Sequence, residues 1–462
     1  MGSEWLDTRL GDICEIRRGS SPRPIVEYLS DIEGMPWVKI ADATESDSRF
    51  IRKTNQFIRH EGVDRSVIVH KGDLILSNSG TAGLPRFMEI TACIHDGWQV
   101  LRKLNGITSN YLYYSLIYIR SKLLHNAYDS TMKNLTLDMV RDAIIKLPPL
   151  PEQELIAGLL TSIDDKIDLN RQINTTLESM AQALFKSWFV DFDPVIDNAL
   201  AAGNEIPDAF QKRAAARAAR REALRQQTNK TTNKTTGATG AVSVEQALPE
   251  TGLSDQRLPP EIQQLFPDRF VFTEEMGWVP EGWEVGVLED LLVLQRGFDL
   301  PKSSRTDGIY PLMAASGQDG THNESKVPGP GITTGRSGKL GEVCFVERDF
   351  WPLNTTLWVK EFRRSSPYHA FYLLKSMDLE KYNSGSAVPT LNRNYIHNVS
   401  ALLPSKNVIA AYDKFVSGCY SKKYDNDEQI KSLANLRDSL LPKLLSGQIT
   451  IPDAEQQLAE VL

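Results

Sequence analysis

Two glycine-rich stretches contain the residue types that proteins most often use to bind phosphate. They are KGDLILSNSGTAG, which starts at Lys71, and GPGITTGRSGKLG, which starts at Gly329. A nucleotide-binding P-loop requires Gly five residues before its Gly-Lys pair and Ser or Thr after it. The second stretch has Thr333 and Leu340 at those positions, so it is not a P-loop. A dinucleotide fingerprint would lead into a helix, whereas the strand-like GEVCFVERDF follows here.

No other residue pattern points to catalysis. Asp307, Glu324 and Lys326 could form a nuclease-like set in which the acids hold a metal against phosphate, but this pattern is degenerate. The chain has neither NPPY nor DPPY, the loop on which amino-methyltransferases hold a flipped base. The four cysteines include no CxxC pair, and His60, His70 and His95 lack ligand spacing. We therefore expect no catalytic or metal site and reduced, mostly buried thiols.

The two stretches instead suit recognition of DNA. Small residues let the backbone approach a duplex, while hydroxyls, amides, Arg336 and Lys339 suit phosphates and base edges. The alternative is that both are hairpin turns with polar tips. The predicted DNA contacts are Arg18, Ser20, Arg23, Lys39, Ser77, Asn78, Ser79, Thr81, Lys133, Asn134, Arg296, Lys302, Arg305, Thr334, Arg336, Ser337, Lys339, Asn354 and Thr355.

Both stretches belong to lobes that repeat within the chain. EWLDTRLGDICEIRRGSSPRP matches GWEVGVLEDLLVLQRGFDLPKS at an offset of 278 residues. The two glycine-rich stretches match at an offset of 258, and the segments before two long helices match at 256. Because the offset changes only within the lobes, the length differences lie in lobe loops. The sequence predicts an α+β protein with two similar mixed α/β lobes separated by two long helices, related by a pseudo-twofold axis.

Each lobe is followed by a long helix with a heptad pattern. A polar residue at one seam position lowers stability but selects partner and register, and Asn170 and Asn426 occupy corresponding central positions. We therefore predict an antiparallel coiled coil in which Asn170 faces Asn426. The alternative is two unrelated amphipathic helices on separate cores. The predicted seam comprises Ile156, Ile163, Asn170, Leu177, Leu184, Tyr412, Cys419, Asn426, Leu433 and Leu440, with Leu159, Ile173 and Met180 as a second line on the first helix.

Composition and charge are those of an ordinary globular protein. The 462 residues are 41% hydrophobic and 24% charged, with a net charge of −7. The acidic excess lies on the first helix and on the connector after it, so both lobes are close to neutral and can still bind phosphate. We expect a cytoplasmic protein, because no signal-like segment and no run of eighteen apolar residues occurs.

The segment QKRAAARAARREALRQQTNKTTNKTTGATGA separates the two halves. Residues 208–227 favour a solvated helix, with a DNA-binding basic arm as the alternative, and 228–241 favour a flexible linker. The predicted organisation is a first lobe (1–148), a central helix (149–198), a low-complexity linker (199–256), a lead-in and second lobe (257–406), a C-terminal helix (407–446) and a tail (447–462).

The helices carry a resemblance to a known family. LPPLPEQELIAGLL with IDLNRQINTTLESMAQALFKSWFVDFDP resembles the central conserved region of specificity subunits of type I restriction-modification enzymes. SLANLRDSLLPKLLSGQI resembles their C-terminal conserved region, and VPEGWEV resembles the entry to their second recognition domain. The resemblance spans nearly the whole chain except about residues 200–256. One departure is that Ser405-Lys406-Asn407 replaces the PLP that precedes the first helix.

The resemblance implies a non-catalytic subunit that binds double-stranded DNA. Each lobe would read one half of an interrupted, asymmetric site, and the helices would dock methyltransferase subunits, usually two, which recruit restriction subunits. This chain would bind no cofactor itself, because S-adenosylmethionine, ATP and magnesium would belong to the partners. The rival interpretations are a stand-alone DNA nuclease or modification enzyme and a protein-binding coiled-coil scaffold.

A wide apolar band on the first helix independently suggests partner subunits. The band is wider than a two-helix seam covers, so something else should bury it. A packing contact with a lobe is the alternative to a partner. The residues predicted to bind the partner are Leu159, Leu160, Phe185, Trp188 and Phe189.

Overall fold

The computed structural model describes residues 5–45, 48–128, 134–232, 258–385 and 387–460. It divides into two compact units. Unit 1 comprises Met1–Ile173 and Asp425–Leu462, and unit 2 comprises Asn174–Tyr424. Each unit thus combines one lobe with part of both long helices, whereas the predicted domains kept each helix whole. The predicted DNA contact Lys133 and residues 233–256 of the predicted linker lie outside the described residues.

The lobe of unit 1 is built on two five-stranded sheets. Its strands are β1 (Leu6–Arg9), β2 (Glu15–Arg18), β3 (Leu29–Ser30), β4 (Met35–Val38), β5 (Phe50–Ile51), β6 (Gln56–Ile58), β7 (Val67–Val69), β8 (Leu74–Ser77), β9 (Pro85–Met88), β10 (Ala92–Ile94), β11 (Trp98–Arg102) and β12 (Ile144–Leu147). The helices up to the first long one are α1 (Leu10–Ile13), α2 (Ile40–Thr44), α3 (His60–Val63), α4 (Ser109–Tyr128), α5 (Leu137–Arg141) and α6 (Leu150–Phe185). The sheet orders are β2-β11-β8-β9-β5 and β3-β6-β4-β10-β7, and β1 pairs separately with β12.

Unit 2 repeats this plan with smaller sheets, of four and three strands. Its helices, followed by those that close the chain, are α7 (Asp193–Ala202), α8 (Asp208–Thr232), α9 (Pro260–Gln263), α10 (Leu288–Leu291), α11 (Pro367–Ser376), α12 (Arg393–His397), α13 (Lys406–Ser446) and α14 (Ile451–Ala459). Its strands are β13 (Phe270–Thr273), β14 (Gly277–Pro280), β15 (Glu284–Val287), β16 (Leu292–Arg296), β17 (Tyr310–Ala314), β18 (Gly317–His322), β19 (Gly331–Gly335), β20 (Val343–Val346), β21 (Trp351–Pro352), β22 (Thr356–Phe362) and β23 (Ser400–Leu403). The sheet orders are β16-β22-β19-β20 and β18-β17-β21, with β13-β14 and β15-β23 as separate pairs.

The internal repeat is visible in the strand pairing of the two lobes. In unit 1, β1 pairs antiparallel with β12 so that Leu6 lies opposite Leu147. In unit 2, β15 pairs antiparallel with β23 so that Glu284 lies opposite Leu403. These partners differ by the sequence offsets of 278 and 256, so register as well as order is repeated. The α+β class and the two similar mixed lobes are confirmed.

The long helices α6 and α13 pack antiparallel in both units. In unit 1, Asn170 Nδ2 donates to Gln429 Oε1 (2.8 Å) and Arg437 donates to Asp164 Oδ1 (2.8 Å). In unit 2, Tyr412 Oη donates to the carbonyl of Ala181 (3.2 Å). Within unit 1, residues further along α6 contact residues earlier in α13, which defines the antiparallel direction. The interpretation of two unrelated helices on separate cores is wrong.

The seam between the helices differs in one line from the predicted heptads. Asn170 and Asn426 are both 2% exposed, and the predicted positions other than Leu177 are buried. The second buried line on α6 is Leu160, Ile167, Asn174 and Ala181. It lies one residue after the predicted line of Leu159, Ile173 and Met180, of which the last two are half-buried. The face that a helix turns to its partner depends on packing, and Leu159 and Leu160 are equally apolar in sequence.

Helix α6 does not continue into the connector. It ends at Phe185 and passes through a π-helical turn, Lys186–Val190, to Phe192, whose φ of 54° breaks the helical path. Helix α7 then starts with Pro194 in its first turn, where proline loses no hydrogen bond. The predicted stop at residues 192–194 therefore marks a change of direction between two helices.

Part of the predicted linker is a helix, as the sequence favours for residues 208–227, and one side of this helix packs on α7. Helix α8 runs from Asp208 to Thr232 and bonds to α7 through a double ion pair. Arg213 donates to both carboxylate oxygens of Asp193 (2.6 and 2.8 Å), and Arg217 does so with Asp197 (3.0 and 2.6 Å). The Asp193 side chain is only 1% exposed, so its charge requires these partners. The Arg spacing of four residues places both on one helix face.

The core of each unit lies where a lobe helix meets the long helices. In unit 1, Leu112 and Leu116 of α4 belong to one buried cluster with Ile163 and Leu440. In unit 2, Phe371 and Leu374 of α11 share a cluster with Leu184 and Tyr412. Within the described residues, every helix is too short or too polar to cross a bilayer.

Candidate nucleic-acid interface

The matched sheets anchor one loop identically in the two lobes. In unit 1 the backbone N–H of Gly19 donates to Trp98 O (2.8 Å), and in unit 2 that of Gly297 donates to Thr356 O (3.1 Å). A Cβ atom at either glycine would lie 2.2 Å from a carbonyl oxygen of the neighbouring loop. Since neither position accepts a side chain, the loops that follow start from equivalent points.

A second loop is also held by a repeated backbone bond. The N–H of Leu135 donates to Asn78 O (2.9 Å) in unit 1, and the N–H of Leu391 donates to Arg336 O (2.8 Å) in unit 2. Both acceptors lie in the glycine-rich stretches that the sequence singled out. The stretch and the segment before the following helix are therefore brought together in each lobe.

The first loop of unit 1 borders a cleft of about 950 Å³. Asp96 lies at one side, where its carboxylate accepts from Ser21 Oγ (2.7 Å). This hydrogen bond is the largest of the effects that lower the pKa of Asp96, so the carboxylate is ionised at neutral pH. Burial lowers the pKa of the adjacent His95, whose Nδ1 accepts from the N–H of Gly97 (2.7 Å). The cleft is lined by Ser21, Pro22, Arg23, Pro24, Ile25, Trp37, Lys39, Ile40, Ala41, His95 and Asp96.

Unit 2 has a cleft of about 310 Å³ at the corresponding place. Here Asn354 Nδ2 donates to the carboxylate of Asp299. By the repeat offsets, Asp299 corresponds to Ser21 and Asn354 corresponds to Asp96. The same two positions therefore contact each other in both lobes, but the carboxylate has moved to the other partner. This cleft is lined by Asp299, Leu300, Pro301, Arg305, Ala314, Asp319, Leu353, Asn354 and Thr355.

A second cleft of unit 2, of about 380 Å³, contains three arginines. Arg296 and Arg336 were predicted from the sequence, and Arg393 from the first turn of α12 joins them. Arg336 donates to Asn354 O (3.3 Å), and Arg296 Nη2 lies 3.4 Å from Asp299 Oδ1. Arginine forks suit phosphates and the O6 and N7 acceptors of guanine. The remaining lining is Leu357, Ser384, Thr390, Leu391 and Asn392.

Comparisons with known proteins agree with this architecture. Residues 2–179 match the family model of the type I restriction modification DNA specificity domain. The specificity subunit of the type I restriction enzyme HindI from Haemophilus influenzae is 28% identical over 71% of this chain and 74% of its own length. The MjaIX specificity subunit from Methanocaldococcus jannaschii is 22% identical over 97% of this chain and 94% of its own length.

The chain is similar to type I restriction-modification specificity subunits over most of its length, and the family model itself matches the first lobe and most of α6. A crystal structure of a type I restriction-modification system S subunit from M. genitalium shows the same fold. Its TM-score is 0.51 at 14% identity, with 96% of each chain covered. The recognition of the family from its conserved helices is thereby confirmed.

Three side chains predicted to contact DNA are buried in the structure. Ser77 is fully buried, donates to Thr81 O (2.6 Å) and accepts from the N–H of Leu84 (2.8 Å). Asn78 is 3% exposed and donates to Asp96 O (2.9 Å), while Thr334 is 2% exposed within its sheet. Strand ends are buried by the sheet that carries them, which a loop-like sequence does not reveal. Ser77 and Asn78 thus hold their loop through side-chain hydrogen bonds, whereas the Thr334 side chain is packed inside its sheet.

The other predicted contacts fall into two groups. Arg23 and Lys39 line the unit 1 cleft, and Arg305, Asn354 and Thr355 line its counterpart. The second group lies at the surface or its edge outside the cleft linings: Arg18, Ser20, Ser79, Thr81, Asn134, Lys302, Ser337 and Lys339. Within that group, Arg18 Nε donates to Asp96 O (2.8 Å) and Lys339 Nζ donates to Glu342 (2.8 Å).

The sequence analysis missed Ser21, Asp96, Asp299 and Arg393. The repeat itself contained a signal for Asp96, because it is the counterpart of Asn354, which was predicted. Within the described residues, His, Cys, Asp and Glu side chains form no group of three that could hold a metal ion.

The apolar band on α6 is covered by the chain's own lobes. Leu159 and Leu160 belong to the core of unit 1, and Phe185, Trp188 and Phe189 belong to that of unit 2. The Trp188 ring meets Phe266 edge-on at 5.0 Å, and the Phe189 ring meets His369 at 4.7 Å. These residues are at most 9% exposed, so they do not form the predicted partner surface. The alternative interpretation, a packing contact with a lobe, is the correct one.

Proposed function

We propose that this specificity subunit reads an asymmetric, bipartite DNA site and directs methyltransferase and restriction subunits to it. The observation that carries the proposal is the pair of corresponding clefts, which share one framework but differ in their side chains. A repeated framework supports two half-sites of similar geometry. Different side chains at equal places support different bases in the two halves.

In unit 2, the three arginines would supply the DNA contacts. The described lining of that cleft contains no carboxylate, although Arg296 also pairs with Asp299 from outside the lining. Phosphate contacts would position the duplex, and a bidentate contact from one guanidinium would select guanine. Asn392 and Thr390 add an amide and a hydroxyl that can reach base edges.

In unit 1, hydrogen-bond acceptors would determine the bases read. Asp96 is ionised, so its carboxylate favours the amino groups of cytosine and adenine in the major groove. The neutral His95 ring accepts from Gly97 through Nδ1 and therefore offers only an Nε2–H donor. Arg23 and Lys39 at the same cleft would hold the flanking phosphates.

The catalytic steps would belong to partner subunits. S-adenosylmethionine would bind the methyltransferase subunits, usually two, while ATP and magnesium would serve the restriction subunits that these recruit. The chain itself would contribute recognition and assembly, without catalysis and without a cofactor of its own.

The decisive experiment is purification with the methyltransferase subunit, followed by mapping of methylated adenines. A double change, Ser21→Asp with Asp96→Asn, gives unit 1 the charge arrangement of unit 2. It should change or relax bases in one half-site and leave the other half-site and the gap unaltered. Lys103→Gln, at an exposed residue paired with Glu15, is the matched control.

Three results would contradict the proposal. A site without two separated halves would refute bipartite reading. DNA cleavage or methylation by the purified chain alone would show a stand-alone enzyme. If the assembled wild-type complex does not bind DNA in a sequence-selective way, a protein-binding scaffold would be favoured.

A further inference from the structure

The hairpin formed by β13 and β14 exposes a cluster of large apolar side chains. Phe272 and Trp278 lie directly opposite each other across the two strands, with ring centroids 5.5 Å apart. They are 63% and 39% exposed, and Met276 at the turn is 40% exposed. Val271 (37%) lies on the opposite face of the hairpin, across from Val279. Isolated apolar residues on a surface are ordinary, but a contiguous aromatic cluster marks an interaction site.

The base of this hairpin is firmly attached to the rest of unit 2. The Phe270 ring packs on Phe210 at 4.8 Å, and Val279 is 2% exposed. The N–H of Glu281 donates to Arg269 O (2.9 Å), which extends the strand pairing beyond the hairpin base. The exposed aromatic pair is therefore presented on an anchored element, so a partner would not have to order it on binding.

Acidic side chains surround the aromatic pair. Glu274 and Glu275 form the turn, Glu281 follows β14, and all three are exposed. None of the three forms an ion pair within the part of the chain that the structure describes. One exposed cation, Arg269, lies beside Glu281. The rim around the aromatic pair is therefore acidic on balance, and its partner should have the complementary charge.

This charge pattern separates the candidate occupants. Phosphates of DNA and anionic lipid headgroups would be repelled by the three carboxylates. A second copy of the hairpin would bring like charges together. Residues 242–257 of this chain are also acidic on balance, with Glu245, Glu250 and Asp255 against Arg257. A different protein with basic residues around an apolar recess satisfies both features.

We infer that the β13–β14 hairpin is a docking surface for the methyltransferase subunit. Phe272 and Trp278 enter an apolar recess on that subunit, and lysine or arginine side chains border the recess opposite Glu274, Glu275 and Glu281. The choice of this partner rests on the proposed function, whereas the surface itself rests on exposure and charge.

The test measures the dissociation constant between the full chain and the methyltransferase subunit of the same system by calorimetry. Phe272→Ser with Trp278→Ser should raise it about 30-fold, as expected for a central aromatic pair. Ile309→Ser is the matched control, because Ile309 is an isolated apolar residue of unit 2 that is 71% exposed. It should change the constant less than about twofold, in keeping with a residue outside the interface.

A charge variant keeps the inference testable if the aromatic variant folds poorly. Glu274→Gln, Glu275→Gln and Glu281→Gln together should weaken binding about fivefold at low salt and reduce its salt dependence. Thermal unfolding would verify that each variant is folded.

The outcomes distinguish the inference from the function on which it rests. If the wild-type chain does not bind the methyltransferase subunit, the proposed function is wrong. If wild-type binds and a folded aromatic or charge variant binds equally well, only the docking surface is wrong. If a variant loses binding to DNA or to anionic vesicles while its affinity for the methyltransferase subunit is unchanged, the docking surface is likewise wrong.

Discussion

At the scale of single residues, the two lobes preserve a contact while exchanging its chemistry. Ser21 donates to Asp96 in unit 1, and Asn354 donates to Asp299 in unit 2, at corresponding positions. A loop pair held by one side-chain hydrogen bond can keep its geometry when donor and acceptor exchange places. The charge presented to a ligand changes at the same time. Such positions can alter specificity without disturbing the framework.

Arg336→Ala should weaken DNA binding by the assembled complex by about 1 to 3 kcal/mol and relax one base position if the guanidinium contacts a base edge. The side chain is half-buried, and its removal leaves no buried carboxylate behind, so assembly should be unchanged. Fluorescence anisotropy across a salt series measures the effect. Lys339→Ala is the comparison, because its exposed ammonium already pairs with Glu342. Wild-type affinity for Arg336→Ala would remove this residue from the interface.

His369 should make unit 2 less stable in mild acid. Burial lowers its pKa to about 3 from 6.5, and it packs between Phe185 and Phe189. Above pH 6.5 the imidazole is neutral in both states, so its contribution is fully present. Below that, only the unfolded chain takes up the proton, and stability falls by about 1.4 kcal/mol per pH unit until about pH 3.

Urea unfolding at pH 7 and pH 5.5 measures this loss. His369→Leu should flatten the pH dependence, although it sacrifices the contact of His369 Nδ1 with Ser365 (2.8 Å). His60→Gln, at an exposed position, is the control. An equally steep pH dependence in His369→Leu would show that other groups cause it.

At the scale of elements, polar side chains help to set the register of the two long helices. Asn170 is almost fully buried, and its amide donates to Gln429, one turn of α13 after Asn426. Arg437 and Asp164 add an ion pair further along the same interface. Apolar heptads alone are compatible with several registers, whereas a buried amide favours the one that gives it a partner. The predicted contact between Asn170 and Asn426 stays a prediction.

Asn170→Leu should destabilise unit 1 by about 1 to 3 kcal/mol, because Gln429 Oε1 loses its donor in a partly buried place. Gln429→Leu alone should have a similar effect, and the double change should recover part of the loss. Chemical denaturation of the four proteins gives the coupling energy. The parallel cycle between Asn170 and Asn426 tests the predicted facing pair. Additive effects in the Gln429 cycle would show that this hydrogen bond contributes nothing.

At the scale of the whole molecule, each unit needs residues from both halves of the sequence. The core of unit 1 contains Leu433, Leu440 and Leu444 of α13 beside Ile163 and Ile167 of α6. The first half of the chain is therefore incomplete without a second helix. Because the repeat provides similar helices, a second copy of the first half can supply one.

A fragment of residues 1–198 should accordingly form a homodimer. With the methyltransferase subunit it should modify a symmetric site made of the first half-site twice, because a twofold protein imposes inverted repeats. Sedimentation measures assembly, and methylation mapping identifies the site. Phe185 and Phe189 lose their cover from unit 2, so aggregation is the competing process. A well-folded monomer, or a dimer on a non-palindromic site, would contradict the prediction.

The sequence by itself determined the repeat and the paired helices, because these follow from matched segments along the chain and from heptad spacing. The resemblance to specificity subunits came from the motifs on those helices. The sequence also identified Arg296 and Arg336 as predicted DNA contacts. Only the tertiary structure decided which side chains meet, since Ser21 and Asp96 are 75 residues apart and touch through sheet pairing. Burial was likewise decided by packing, as Thr334 lies inside a sheet and Phe189 inside a core. Local pattern encodes elements, but a cleft or a covered surface is a property of residues distant in sequence.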